Sequence, residues 1–161
     1  MKFSEILILM ILFFDLELIE IPKYNYNPKT PIEKINGDLN IFGKKFTVGH
    51  LNSRSLNKNF IELKHVLDNT EFDAFAVSET WLTKNTPKSR YFLNNFNIFR
   101  LDRLNKRGGG VCLFVRTIYD CKKISIPNSN NSHLAEMLWV EITTNKTKIA
   151  VGVFYKPPKI P

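Results

Sequence analysis

Three polar residues stand directly behind apolar, strand-like runs: Asn52 behind FTVGHL, Glu79 behind FDAFAVS and Tyr155 behind KIAVGVF. In open α/β sheets, functional groups collect just past the carboxyl ends of the strands. A carboxylate in that position is a plausible ligand for a hard cation such as Mg²⁺, which takes oxygen donors and keeps waters and substrate phosphate as its other ligands. Taken singly, each residue has a plainer explanation. Glu79 caps the following turn, Asn52 is a turn residue and Tyr155 is an edge aromatic. The three acquire a common chemistry if the fold brings their strand ends to one rim.

The surrounding pattern bears on that condition. Phe46 to Leu51 reads as a short strand. Leu56, Phe60, Leu63 and Leu67 recur at i, i+4, i+7 and i+11, the stripe of an amphipathic helix. Ser53 or Ser55 is placed to cap its start and Asn69 to end it. Phe72 to Ser78 is a near-continuous apolar run, as for a buried strand. A strand–helix–strand unit predicts two parallel, adjacent strands joined by a right-handed crossover. That would put Asn52 and Glu79 within reach of each other. A polar loop follows, Thr83 to Asn97. Further strands are expected at Val111 to Val115, Lys122 to Ile126, Met137 to Ile142 and Lys148 to Phe154. The alternation of Leu138, Val140 and Ile142 with Trp139 and Glu141 suits a sheet with two unlike faces.

The 161 residues allow about one domain. With 43% hydrophobic and 24% charged residues, the chain is neither disordered nor collagen-like. Cys112 and Cys121 cannot make a disulfide framework, no zinc-ligand spacing occurs, and free thiols suit a reducing compartment. Lys and Arg number 23 against 15 Asp and Glu, a formal charge of +8. Met1 to Ile21 holds one base, Lys2, and four acids, Glu5, Asp15, Glu17 and Glu20. Removing them leaves 22 bases and 11 acids in the remainder. Such a surplus favours polyanions through attraction and counterion release. Residues 1–21 read as a hydrophobic, acidic leader or a helix packed on the domain. The run Ile6 to Phe14 is too short to span a bilayer, and Asp15 and Glu17 stand where a signal-peptidase site needs small residues. Residues 22–45, rich in Pro, Asn and Lys, read as a linker, and the folded unit as 46–161.

HLNSRSL (50–56), a helix, FDAFAVSETWL (72–82), FRLDRLNKRGGGVCLFVR (99–116), LWVEI (138–142) and VGVFYKPP (151–158) follow one another in this order. The set resembles the amino-terminal half of the apurinic-endonuclease-like domain of non-LTR (LINE-type) retrotransposons, within the endonuclease/exonuclease/phosphatase superfamily. It covers about Phe46 to Pro158. The resemblance implies the amino-terminal part of a four-layer α/β sandwich, two β-sheets flanked by helices, incomplete at the C-terminus. It implies Mg²⁺-dependent nicking of DNA, with Mn²⁺ as an alternative ion, to prime reverse transcription. It also implies a downstream reverse transcriptase as partner and an intracellular setting, nuclear or cytoplasmic, without stable membrane association. By the same resemblance Glu79 is the metal-binding carboxylate, Asn52 belongs to a catalytic hydrogen-bond network and Tyr155 contacts the reacting phosphate.

The sequence also departs from that family. The family completes its site with an Asp-x-Asn pair and a Ser-Asp-His, both after the Tyr motif, and neither occurs between Tyr155 and Pro161. His50, His65 and His133 read as structural or solvated. Arg54 stands where the repair branch has an acid, and Pro158 where other branches have a DNA-binding Asn. The chain is therefore expected to be inactive by itself. Leu138, Val140, Ile149, Val151 and Val153 are expected on partly uncovered strands. Arg100, Arg103, Lys106 and Arg107, in a basic stretch with Lys84, Lys88 and Arg90, are the candidates to track DNA phosphates. Gly108 to Gly110 precede a strand, so they suit a tight turn rather than a phosphate cradle. Two alternatives stand beside this reading: a non-catalytic nucleic-acid-binding remnant, and a phospholipid-directed phosphodiesterase or phosphatase of the same superfamily.

Overall fold

The computed structural model describes residues 6–13, 39–41, 44–104, 108–125, 135–144 and 148–156, with side chains from Phe46 onward. The architecture is α/β. Val48–Asn52 (β4), the helix Leu56–Asp68 (α1) and Ala74–Ser78 (β5) form the crossover unit, and β4 pairs with β5 in parallel, Asn52 opposite Ser78. Phe96–Leu101 (β6) and Val111–Arg116 (β7) complete a four-stranded sheet in the order β4-β5-β7-β6. The second sheet holds Asp120–Ile124 (β8), Glu136–Thr143 (β9), Lys148–Tyr155 (β10) and, at its edge, Ile6–Phe13 (β1), in the order β1-β10-β9-β8.

The two sheets face each other. Odd-numbered Ile149, Val151, Val153 and Tyr155 and even-numbered Leu138, Val140 and Ile142 meet Val48, Ala74, Ala76, Val111, Leu113 and Val115 in one buried cluster. The strands expected to be partly uncovered are therefore covered, because the opposite sheet supplies the apolar face they need. The other face of the first sheet carries Phe75, Val77, Cys112 and Phe114, which pack on Leu56, Leu63 and Leu67 of α1. Among the described residues the layers are thus helix, sheet and sheet. Burying such aliphatic side chains is worth about 1.5–3 kcal/mol each. Gly49 is where β4 passes closest to an aromatic: a Cβ there would come within 2.5 Å of the Phe75 ring.

Several local expectations change. Ile6–Phe13 is a strand and not the packed helix offered for it, paired in parallel with β10 from Ile6↔Lys148 to Phe13↔Tyr155. A short uninterrupted apolar run is compatible with either state, and strand pairing satisfies its backbone. Tyr155 is accordingly not on an edge strand. Inside the stretch read as linker, Leu39–Ile41 (β2) and Lys44–Phe46 (β3) pair as an antiparallel ribbon. The expected polar loop contains a 3-10 turn, Lys88–Tyr91, and the start of β6. Among the described residues, no helix is long and apolar enough to cross a membrane.

Candidate functional site

The parallel pairing of β4 and β5 carries Asn52 and Glu79 to one rim, and β10 brings Tyr155 to the same place from the facing sheet. The Tyr155 hydroxyl donates to Glu79 Oε1 at 2.6 Å, and Asn52 Nδ2 makes a longer contact of 3.5 Å to the same oxygen. The other side of the Asn52 amide is fixed, since its Oδ1 accepts the Arg54 backbone N–H at 3.2 Å. Tyr155 is buried, Glu79 half-buried and Asn52 exposed, so the cluster grades from the core outward to solvent. All three strand-end candidates therefore come together.

The backbone here is strained. Glu79 has φ 51°, Trp81 φ 55°, Arg54 φ 42° and Ser55 φ 115°, all left-handed or nearby values for residues other than glycine. Such conformations cost of order 1–3 kcal/mol each and persist where surrounding structure over-determines them. The supports are visible. The Ser55 N–H donates to Glu79 O and the Leu56 N–H to Thr80 O, both at 2.9 Å. The start of α1 is thus satisfied by backbone of the turn after β5. Ser55 makes no side-chain cap, and the Ser53 hydroxyl bonds to Ser78 O and Glu79 O instead, so the expected serine cap is absent. On the other flank, the Thr80 N–H donates to Gly110 O and the Trp81 N–H to Gly109 O. Gly108, Gly109 and Gly110 all have positive φ, as a tight turn requires, and a Cβ on Gly110 would lie 2.5 Å from Thr80 Oγ1.

Beneath the rim, His50 Nε2 lies 3.1 Å from Ser78 Oγ, and both residues are buried. Burial pushes the imidazole pKa down to about 3, so His50 is neutral at physiological pH. His65 is an exposed helix residue; His133 lies outside the described residues.

The basic candidates divide. Arg100 is turned inward: its guanidinium pairs with Asp102 and donates to Thr83 O and Thr86 O, and its side chain is 8% exposed. Arg103 ion-pairs with Glu136. Neither is presented as a free phosphate contact, because internal acceptors occupy them. Lys106 and Arg107 lie outside the described residues. Lys84, Lys88 and Arg90 are exposed. Glu136 was missed by the sequence reading. It stands opposite Tyr155 in the β9–β10 register and reaches across to the first sheet.

Chemically, the rim offers one carboxylate with Oε1 held by a phenol, flanked by an amide. That donor set fits Mg²⁺, which is usually bound through one or two carboxylates plus waters and substrate oxygens. Among the described residues, no three His, Cys, Asp or Glu side chains gather into a metal-sized cluster. A groove of about 580 Å³ lined by Lys88, Phe92, Phe99, Tyr119 and Cys121 lies along β6 and β8, away from the Glu79 rim.

No protein-family model and no curated protein matches the chain. Among solved structures, the chain is similar to the 3′-phosphatase NExo from Neisseria bound to a product DNA hairpin, at 15% identity and a TM-score of 0.47. The match covers 64% of this chain and 39% of that one, so the chain spans about two-fifths of the neighbour's length.

Proposed function

We propose that the chain is part of a DNA-cleaving phosphodiesterase of the endonuclease/exonuclease/phosphatase type, with Asn52, Glu79 and Tyr155 at its reaction centre. The observation that carries this reading is the Tyr155 hydroxyl bonded to Glu79 Oε1 at 2.6 Å across two sheets, beside Asn52, on a strained turn. Strain retained at a solvent-facing carboxylate is a mark of a site rather than of a fold-stabilising acid. Glu79 would hold Mg²⁺ or Mn²⁺. When bound, the ion would polarise a phosphoryl oxygen and offset the charge developing on it. The Tyr155 hydroxyl and the Asn52 amide would orient the phosphate, a contribution of position rather than of proton transfer. The formal charge of +8 favours a polyanionic substrate such as DNA.

The narrower assignment, a retrotransposon endonuclease working with a reverse transcriptase, rests on the ordered motifs from HLNSRSL to VGVFYKPP. The domain is proposed to run from Phe46, with Ile6–Phe13 added as an extra strand. A non-catalytic nucleic-acid-binding role is the second reading. It is favoured by the lack of a multi-ligand metal cluster among the described residues.

The test uses supercoiled plasmid and Mg²⁺. Joined to a downstream segment that carries an Asp-x-Asn and a Ser-Asp-His, the wild-type chain should nick, and Glu79→Ala should lower nicking by at least about 100-fold. Near-normal nicking by that variant would remove Glu79 from the site. The 161-residue chain by itself should nick at background, because positioned acid–base groups contribute about 10²–10⁴-fold each. DNA binding without nicking in the joined protein would favour the second reading.

A further inference from the structure

Tyr155 is not the one cross-sheet contact at this rim. Glu136, its antiparallel neighbour on β9, shares the same inward face and sends its carboxylate to the first sheet. Its Oε2 accepts the Gly110 N–H at 2.7 Å, and its Oε1 accepts Arg103 Nε. The pair is mostly buried, with side chains 13% and 19% exposed. The Arg103 guanidinium lies over Gly109, where a Cβ would come within 2.3 Å of Arg103 Cζ. The Gly109–Gly110 peptide unit held through that N–H is in use on its carbonyl side as well, and so is the next carbonyl along the chain. Gly110 O accepts the Thr80 N–H at 3.1 Å and Gly109 O accepts the Trp81 N–H at 2.8 Å. Thr80 directly follows Glu79. A continuous hydrogen-bonded path thus runs from Glu136 through Gly110 to the strained turn that carries Glu79.

We propose that Glu136, steadied by Arg103, is a positioning residue for the Asn52–Glu79–Tyr155 site. It fixes the glycine turn, and through it the Glu79 carboxylate, at a set height against Tyr155. The physical reason is geometric. Glu79 and Tyr155 belong to different sheets, and packed sheets can shift relative to each other by small displacements. Two ties of opposite sense, Tyr155 donating to Glu79 and Gly110 with Arg103 donating to Glu136, resist that shift where a single bond would pivot. Removing a group that orients a metal ligand typically costs 10–100-fold in metal affinity or activity.

The value for a metal site rests on the reading proposed above; the clamp itself does not, and two measurements keep them apart. The first is amide hydrogen exchange on the full chain. In Glu136→Gln, which keeps the size but loses the charge, and in Arg103→Ala, exchange at Thr80 and Trp81 should quicken by about tenfold or more while Ala76 and Val77 keep their rates. The second is Mg²⁺ titration of the same proteins. Glu136→Gln should weaken binding by about tenfold, with circular dichroism unchanged, and Glu79→Gln should abolish it. Unchanged exchange at Thr80 would overturn the clamp. Quickened exchange with wild-type Mg²⁺ affinity, while Glu79→Gln still abolishes binding, would overturn the positioning role. If the wild-type chain binds no Mg²⁺, the metal reading fails, and the clamp is decided by exchange alone. Should Arg103→Ala fail to fold, Arg103→Lys carries the same comparison.

Discussion

The strand β5 has a carboxylate at each end, and the two are treated in opposite ways. At its start, Asp73 is buried and saturated. Oδ2 accepts the Thr47 N–H at 2.7 Å and the Thr47 hydroxyl at 3.1 Å, and Oδ1 accepts the Tyr119 hydroxyl at 2.5 Å. Arg116 closes that end by donating to Thr70 O and Phe72 O. Burial, and then the bond to Asp73, pushes the Tyr119 hydroxyl well above the usual phenol range, so it stays protonated. At the other end, Glu79 also receives a tyrosine hydroxyl, yet it sits half-exposed on a left-handed backbone. One tyrosine–carboxylate pair is a rivet and the other has the features of a site. Tyrosine beside an acid does not distinguish them; saturation, exposure and strain do.

The sharpest way to break this contrast is to remove each acid in turn. Asp73→Ala should cost about 3 kcal/mol in urea unfolding, because the Thr47 N–H and Tyr119 hydroxyl lose their acceptor. Glu79→Ala should cost less than about 1 kcal/mol, and Glu79→Gly should be neutral or stabilising by up to about 1 kcal/mol, since glycine relieves the positive φ. Equal losses at both positions would erase the distinction.

A second test concerns the floor of the site. His50 is held neutral by burial, with a pKa of about 3 against an ordinary 6.5. Below pH 6.5 the unfolded chain binds a proton that the folded chain refuses. Stability should therefore be complete above pH 6.5 and fall toward pH 3, at about 1.4 kcal/mol per pH unit from this group. His50→Gln should flatten that part of the profile. A slope the same in both proteins would mean that other groups set the acid sensitivity.

The smallest effects belong to the basic side chains. Arg100→Ala should lower stability by about 1–2 kcal/mol and leave the salt dependence of DNA binding unchanged. Replacing Lys84, Lys88 or Arg90 should each reduce the slope by about one unit if they touch phosphates. A flatter slope in Arg100→Ala would return that residue to the phosphate contacts.

These cases also mark what the sequence made legible. The convergence of Asn52, Glu79 and Tyr155 was readable because each follows an apolar run, and strand ends are where topology converges. The β4–α1–β5 unit was readable from periodicity alone. Glu136 was not, because an acid at the start of an alternating strand looks like a solvent-facing position, and its partner Arg103 lies 33 residues away. Arg100 was misread for a related reason: a charge in a basic stretch carries no sign of the backbone carbonyls that will enclose it. The serines before α1 look like caps, but which donor meets which acceptor there depends on the turn after β5. Ile6–Phe13 was ambiguous in principle, since eight apolar residues suit more than one element until a partner strand is known.

The pairing of β1 with β10 carries a consequence for biosynthesis. Ile6–Phe13 emerges from the ribosome long before its partner Lys148–Tyr155 has been made. At about 5–20 residues per second, that apolar strand waits on the order of ten seconds with its hydrogen-bonding groups unclaimed. Contacts between such distant segments also close slowly. Until Lys148–Tyr155 is made, the nascent chain carries an adhesive strand exposed, a target for a chaperone that binds short apolar strands.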